Sequence, residues 1–161
     1  MLTRMFVQDF MIIDRPSGEV VALLQGNAGS LLGEAVEAAG AGLDHQRLKV
    51  GPGSWPALLA KRVEVRLGPV RRHGEVTLLA FSWHATGPGS LFPALDADLE
   101  VSPLGEERSE LALHGRYEAP GGSLGRSVDR LLLHRLADAT IRAFLSNLAD
   151  RLREKASVPS P

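Results

Sequence analysis

The chain has 161 residues, a length that suits one domain with its own apolar core. Its 18 Lys and Arg nearly balance its 19 Asp and Glu, which argues against the basic stripe expected of a nucleic-acid-binding protein. The sequence contains no cysteine, so disulfides, thiolate zinc sites and cysteine nucleophiles are excluded. No apolar run of about 18 residues predicts a membrane span, and residues 1–10 lack the apolar core of a signal peptide. A cytoplasmic protein is therefore expected.

The first third of the chain predicts one strand followed by two short helices. Residues 2–13 are rich in β-branched and aromatic side chains, and Pro16 ends this strand because proline disfavours the helical region for the residue before it. Residues 16–40 are rich in helix formers, but glycine and asparagine within residues 25–30 interrupt them. Residues 41–56 contain several glycines and prolines and predict a loop.

The middle of the chain predicts an antiparallel meander. Residues 62–67, 75–85, 94–101 and 108–118 read as strands, and several of them alternate apolar and polar side chains with the period of a half-buried strand. Residues 70–74 predict a turn that leaves its basic side chains in solvent. The inward face predicted from this alternation consists of Val63, Val65, Leu67, Leu79, Phe81, Trp83, Leu95, Leu99, Leu111, Leu113 and Tyr117.

The end of the chain predicts one long helix. Nothing breaks a helix between residues 124 and 154, and this span would reach about 45 Å. Its apolar side chains recur at the spacing of one helical face. Residues 156–161 predict a disordered tail, so residues 1–155 form the single predicted domain. The inward stripe consists of Ala137, Thr140, Ile141, Phe144, Leu145, Leu148 and Leu152.

The order of these elements, and one local motif, resemble the START-related helix-grip superfamily (SRPBCC), which includes polyketide cyclases and lipid-transfer domains. The motif is Leu113-x-Gly115-x-Tyr117-x-x-Pro120-Gly121-Gly122-x-x-Gly125, which leads into the last helix. The resemblance implies an α+β helix-grip fold, in which a curved antiparallel sheet wraps around a long C-terminal helix. It also implies a cavity for an apolar ligand. Some members catalyse cyclisation or hydration there and others only carry, and no catalytic motif can be placed on these residues.

The candidate ligand site lies between the predicted sheet face and the last helix. Aromatic residues make up only 5% of the chain, so side chains are expected to fill this space incompletely. A buried tryptophan or tyrosine also needs a partner for its polar tip, which a ligand or water could supply. The alternative is an ordinary filled core. The residues predicted to line the site are Phe81, Trp83, Leu95, Leu113, Tyr117 and Leu133.

The first turns of the last helix are polar on the same face. Arg130 would pair with an anionic head group, and His134 would exchange a proton near neutral pH. Alternatively, these side chains are solvated or pair with Asp129. Neither a metal site nor a cofactor is predicted, because the five histidines show no HxxxH spacing and the glycine-rich turns lack a Walker lysine.

Two other functions stay open. One is a cyclase- or dehydratase-like enzyme that uses His134 or Tyr117 as its proton donor. The other is an interaction module with a packed core and an outward apolar row of Val76, Leu78 and Ala80. That row would serve as a homodimer contact, or it would be scattered surface aliphatics.

Overall fold

A computed structural model describes residues 4–47, 63–85, 94–118 and 130–155, with the backbone alone for residues 41–47, 85, 130–133 and 136. The five strands described form one antiparallel sheet in the order β1-β5-β4-β3-β2, and both helices pack on one of its faces. This arrangement confirms the predicted α+β helix-grip class. The elements are β1 Arg4–Ile13, α1 Ser17–Arg47, β2 Val63–His73, β3 Val76–Ala85, β4 Ala94–Pro103, β5 Ser109–Glu118 and α2 Arg130–Glu154.

Alternation along the strands divides the sheet into a buried concave face and an outer face, as predicted. Every second residue of β3 and β4 is buried, and the residues between them keep solvent contact. Leu67 pairs directly with the buried Phe81 and therefore shares the inward face, as predicted, but 48% of it is exposed. It lies on edge strand β2 beside a bulge between Leu67 and Val70. Gly68 belongs to this bulge, where an added Cβ would come within 2.9 Å of the Ala80 Cβ.

The predicted turn at residues 70–74 was wrong. β2 resumes its pairing with β3 after the bulge and continues to His73. The chain reverses over Gly74 and Glu75 instead. Gly74 has a φ of 62°, and glycine with positive φ at the first position of a two-residue turn is typical of a type II′ hairpin. The basic side chains of this segment therefore belong to a strand, where alternate residues point to opposite faces of the sheet.

Helix α1 is interrupted where the sequence predicted a break. Asn27 has non-helical backbone angles (φ −140°, ψ 23°) and kinks the helix between two helical arms. The second arm continues to Arg47, so the prediction of a loop was wrong for residues 41–47. The single glycine in that segment costs a helix only about 1 kcal/mol, which is too little to end it. Residues 48–56, the rest of the predicted loop, lie outside the described part of the chain.

Helix α2 covers the concave face with the predicted stripe. All seven stripe residues are buried, from Ala137 to Leu152. The predicted first turns at residues 124–129 and the predicted tail at residues 156–161 lie outside the described residues. Neither helix of the described chain is long and apolar enough to cross a membrane.

Candidate functional site

Cross-strand pairing brings five predicted site residues together on the concave face. Trp83 pairs with Leu95, and Leu95 pairs with Tyr117, so these three form one row across β3, β4 and β5. Phe81 lies two residues from Trp83 along β3, and Leu113 lies four residues from Tyr117 along β5. All five side chains are buried. They form the floor of the candidate site.

Beside the row of Trp83, Leu95 and Tyr117, the concave face carries two small residues. Gly115 pairs with Ala97 on the same face of the sheet. A Cβ added to Gly115 would lie 2.8 Å from the Ala97 Cβ, 3.0 Å from Leu95 Cδ1 and 3.1 Å from the Asp96 carbonyl oxygen. A side chain at this position would therefore collide with its neighbours. The glycine lets β4 and β5 lie close together, and no side chain rises from the concave face at this position.

Phe144 of α2 packs onto this floor, and the sequence analysis did not assign it to the site. Its ring centroid lies 4.9 Å from that of Trp83, edge to face, and 5.7 Å from that of Phe81. Phe144 is completely buried. The three rings form a packed cluster, and their neighbours bury each of them almost completely. Its place in the inward stripe of α2 was the signal that could have identified it.

A polar group lies where the floor meets the first turns of α2. The buried Tyr117 hydroxyl donates to Met5 Sδ at 3.7 Å. Burial raises the pKa of Tyr117, and the negative charge of Asp138 raises it further. His134 Nε2 lies 3.4 Å from Asp138 Oδ2, and both side chains are about half exposed. His134 thus contacts a carboxylate that the sequence analysis missed, and the charge of that carboxylate acts on Tyr117.

The spacing of His134 and Asp138 could have revealed this pair, because residues four apart are neighbours on a helix surface. The predicted alternative partner, Asp129, lies outside the described residues. Arg130 lies in the first turn of α2, and Leu133 follows within that helix. The structure describes only the backbone of both residues. Their predicted roles at the site stay predictions.

On the outer face of the sheet, two histidines contact glutamates. His84 and His114 face Glu64 and Glu100, each at 3.5 Å. Among the described residues, no group of three or more His, Cys, Asp or Glu side chains is arranged to hold a metal ion.

The apolar side chains most exposed on the outer face lie on β1 rather than on β3. Val76, Leu78 and Ala80, the predicted outward row, are half-buried. Phe6 is 75% exposed, and the guanidinium carbon of Arg116 lies 5.0 Å from its ring centroid. Phe10 and Ile12 continue the exposed row along β1.

Comparison with solved structures supports this fold. A conserved protein from Geobacillus kaustophilus matches with a TM-score of 0.59 at 14% identity, over 94% of this chain and 97% of its own. The Zhui aromatase/cyclase from Streptomyces sp. R1128 matches with a TM-score of 0.52 at 12% identity, over 97% of this chain and 98% of its own. No family model and no curated protein matches the sequence. At these identities the likeness establishes the helix-grip fold, and it leaves activity open.

Proposed function

We propose that this protein binds an apolar or amphipathic small molecule between its sheet and helix α2. The observation that carries the proposal is the composition of the concave face. A buried apolar floor that includes Trp83 and Leu95 ends in the polar group of Tyr117, Asp138 and His134. Ligand pockets are typically apolar surfaces with a few polar groups that fix orientation. A lining that is apolar at one end and polar at the other suits an amphipathic molecule.

The residues of the site would then divide their roles along the length of the ligand. Phe81, Trp83, Leu95, Leu113 and Leu133 would contact its apolar part. The Tyr117 hydroxyl, whose pKa is raised above 10.0, is protonated at neutral pH and would donate to the ligand in place of Met5 Sδ. Arg130 and His134 would face an anionic head group.

Native mass spectrometry of the full chain tests this proposal with two ligands of equal chain length, dodecanoate and dodecanol. We expect a one-to-one adduct with each, and a tighter one with dodecanoate because its carboxylate meets Arg130 and His134. Arg130→Gln is expected to remove the preference for dodecanoate and to retain dodecanol. Absence of an adduct with both ligands would contradict the binding proposal.

Variants of the floor and of the opposite face locate the adduct. Trp83→Phe keeps a ring in the core while it changes the contact area, and it is expected to weaken both adducts. Phe6→Ala is the matched control, since Phe6 is an exposed aromatic residue on the outer face. Equal weakening by the two substitutions would place binding at the outer surface and would refute the proposed site.

A cyclase- or dehydratase-like activity is the second candidate, and the buried Tyr117 hydroxyl and the contact between His134 and Asp138 favour it. A neutral tyrosine donates a hydrogen bond to a substrate carbonyl, and a neighbouring His–Asp pair is suited to proton transfer. Incubation with an apolar β-hydroxyketone, followed by mass analysis, tests this activity. Loss of one water from the ketone, abolished in Tyr117→Phe with binding retained, would establish it. Binding without any change of mass would leave the protein a carrier.

A further inference from the structure

A second cleft lies away from the concave site, where the start of α1 meets the β2–β3 hairpin and the β4–β5 turn. Its volume is about 450 Å³. Residues of three neighbouring segments line it, so it is formed by the fold rather than by one loop. Those that matter for its chemistry are Ser17, Gly18, Arg72, Glu75, Thr77 and Glu106.

Helix α1 begins in this cleft without a side-chain cap. The carbonyl of Pro16 accepts the first helical hydrogen bonds, from the N–H groups of Glu19 at 3.1 Å and Val20 at 3.3 Å. Proline has no side-chain oxygen with which to cap the N–H groups that follow it. Within the described chain, the N–H groups of Ser17 and Gly18 have no acceptor. An added Cβ at Gly18 would meet no atom within 4 Å, so the space in front of this turn is open.

The sheet supplies two further donors on the opposite wall. Arg72 of β2 pairs directly with Thr77 of β3, so both side chains leave the sheet on the same face, beneath the start of α1. Thr77 is only 7% exposed, and its hydroxyl makes no hydrogen bond to any described residue. Arg72 forms no ion pair within the described ranges. The Thr77 hydroxyl is not one of the fully buried side-chain atoms that lack a partner, so an occupant of the cleft that Thr77 lines can accept its hydrogen bond.

We infer that this cleft binds a small oxyanion, a carboxylate or a phosphate group, through the Ser17 and Gly18 N–H groups, the Thr77 hydroxyl and the Arg72 guanidinium. Backbone donors at a helix start favour negative charge, and an arginine opposite them adds to that preference. Glu75 and Glu106 also line the cleft, and their carboxylates oppose a second negative charge. The site therefore favours a monoanion, and it is independent of the proposed function of the concave face.

Amide NMR of the full chain, titrated with acetate and with inorganic phosphate at constant ionic strength, tests this inference. We expect saturable shifts at Ser17 and Gly18, with acetate bound more tightly than dianionic phosphate. Shifts that grow linearly without saturation would overturn the site. Phosphate binding as tight as acetate binding would overturn the monoanion preference.

Three variants assign the binding to named groups. Arg72→Gln is expected to weaken acetate by about tenfold, which corresponds to about 1.4 kcal/mol. Thr77→Val keeps the shape of the side chain and removes its hydroxyl, so it is also expected to weaken binding. Arg66→Gln is the matched control, because Arg66 lies on the same strand outside the cleft and pairs with Glu64. If Arg66→Gln weakened acetate binding as much as Arg72→Gln, the loss would be explained by the change in net charge, and the site would be refuted.

Discussion

Truncation of Phe144 is the sharpest test of how the helix closes over the sheet. The residue is completely buried, and its ring packs edge to face on Trp83 at 4.9 Å and against Phe81 at 5.7 Å. Phe144→Ala removes a buried ring and leaves a cavity, which typically costs about 3–5 kcal/mol. Each of the two ring contacts accounts for about 0.5–1.5 kcal/mol of that loss. We expect the variant to lose about 4 kcal/mol of its free energy of unfolding.

Urea unfolding followed by far-ultraviolet circular dichroism measures this loss. Phe144→Leu keeps much of the apolar volume and is expected to cost about half as much. Arg142→Ala is the matched control on α2, since its side chain is 78% exposed and its Nε lies 3.5 Å from Asp9 Oδ2. Such a surface change is expected to stay within about 0.5 kcal/mol.

The same variant has a second signature. An apolar cavity of this kind takes up a small aromatic guest, so benzene is expected to raise the stability of Phe144→Ala by more than that of the unmodified chain. A loss of less than about 1 kcal/mol in Phe144→Ala, with no benzene effect, would refute the packing described for this ring.

Three further predictions concern stability and titration. Ser109 is completely buried, and its hydroxyl has no hydrogen-bond partner in the described part of the chain, so Ser109→Ala is expected to gain about 1 kcal/mol in thermal unfolding. A loss would indicate that an internal water satisfies the hydroxyl. Gly115→Ala is expected to cost about 1–3 kcal/mol in urea unfolding, because the new Cβ would lie 2.8 Å from that of Ala97, and a neutral result would contradict the close approach of β4 and β5. Ultraviolet titration is expected to give Tyr117 a pKa above 10.0, lowered only in part by Asp138→Asn, because burial is the larger cause. The unfolded chain then loses this proton before the folded one, so stability is complete below pH 10 and falls as the pH rises through the folded pKa. An unshifted tyrosine titration would contradict this assignment.

The strands could be predicted from the sequence because their pattern is local. Alternation with a period of two fixes which side chains share a face before any tertiary contact is known. The prediction was wrong at residues 70–74. The bulge after Leu67 interrupts the pairing of β2 and then lets it resume, and alternation alone cannot show whether a polar segment after a glycine and a proline returns to the sheet.

Of the candidate site, the sequence predicted the floor on the concave face best. Alternation predicted that Trp83, Leu95 and Tyr117 share a face, and the strand register, which alternation does not give, brings them into one row. The contributions of Phe144 and Asp138 depend on where α2 crosses the sheet and on its rotation about its axis. Helical periodicity gives the inward stripe of a helix but not its partner across the interface. The residues from α2 were therefore the ones that the sequence could not place.

The two ends of α2 make different contacts with the rest of the protein, so binding and stability can be tested by different substitutions. Near its C-terminal end, Arg153 Nη2 donates to the Ile12 carbonyl at 3.0 Å, and Arg151 pairs with Glu34 of α1 at 2.6 Å. Together with the buried stripe, these contacts fix the half of the helix that ends beyond Phe144. The pair of His134 and Asp138 lies in the other half and is about half exposed, so it contributes little to helix docking. If the proposed binding is correct, substitutions at His134 or Asp138 should therefore alter it with the fold intact, whereas those at Phe144 should change both.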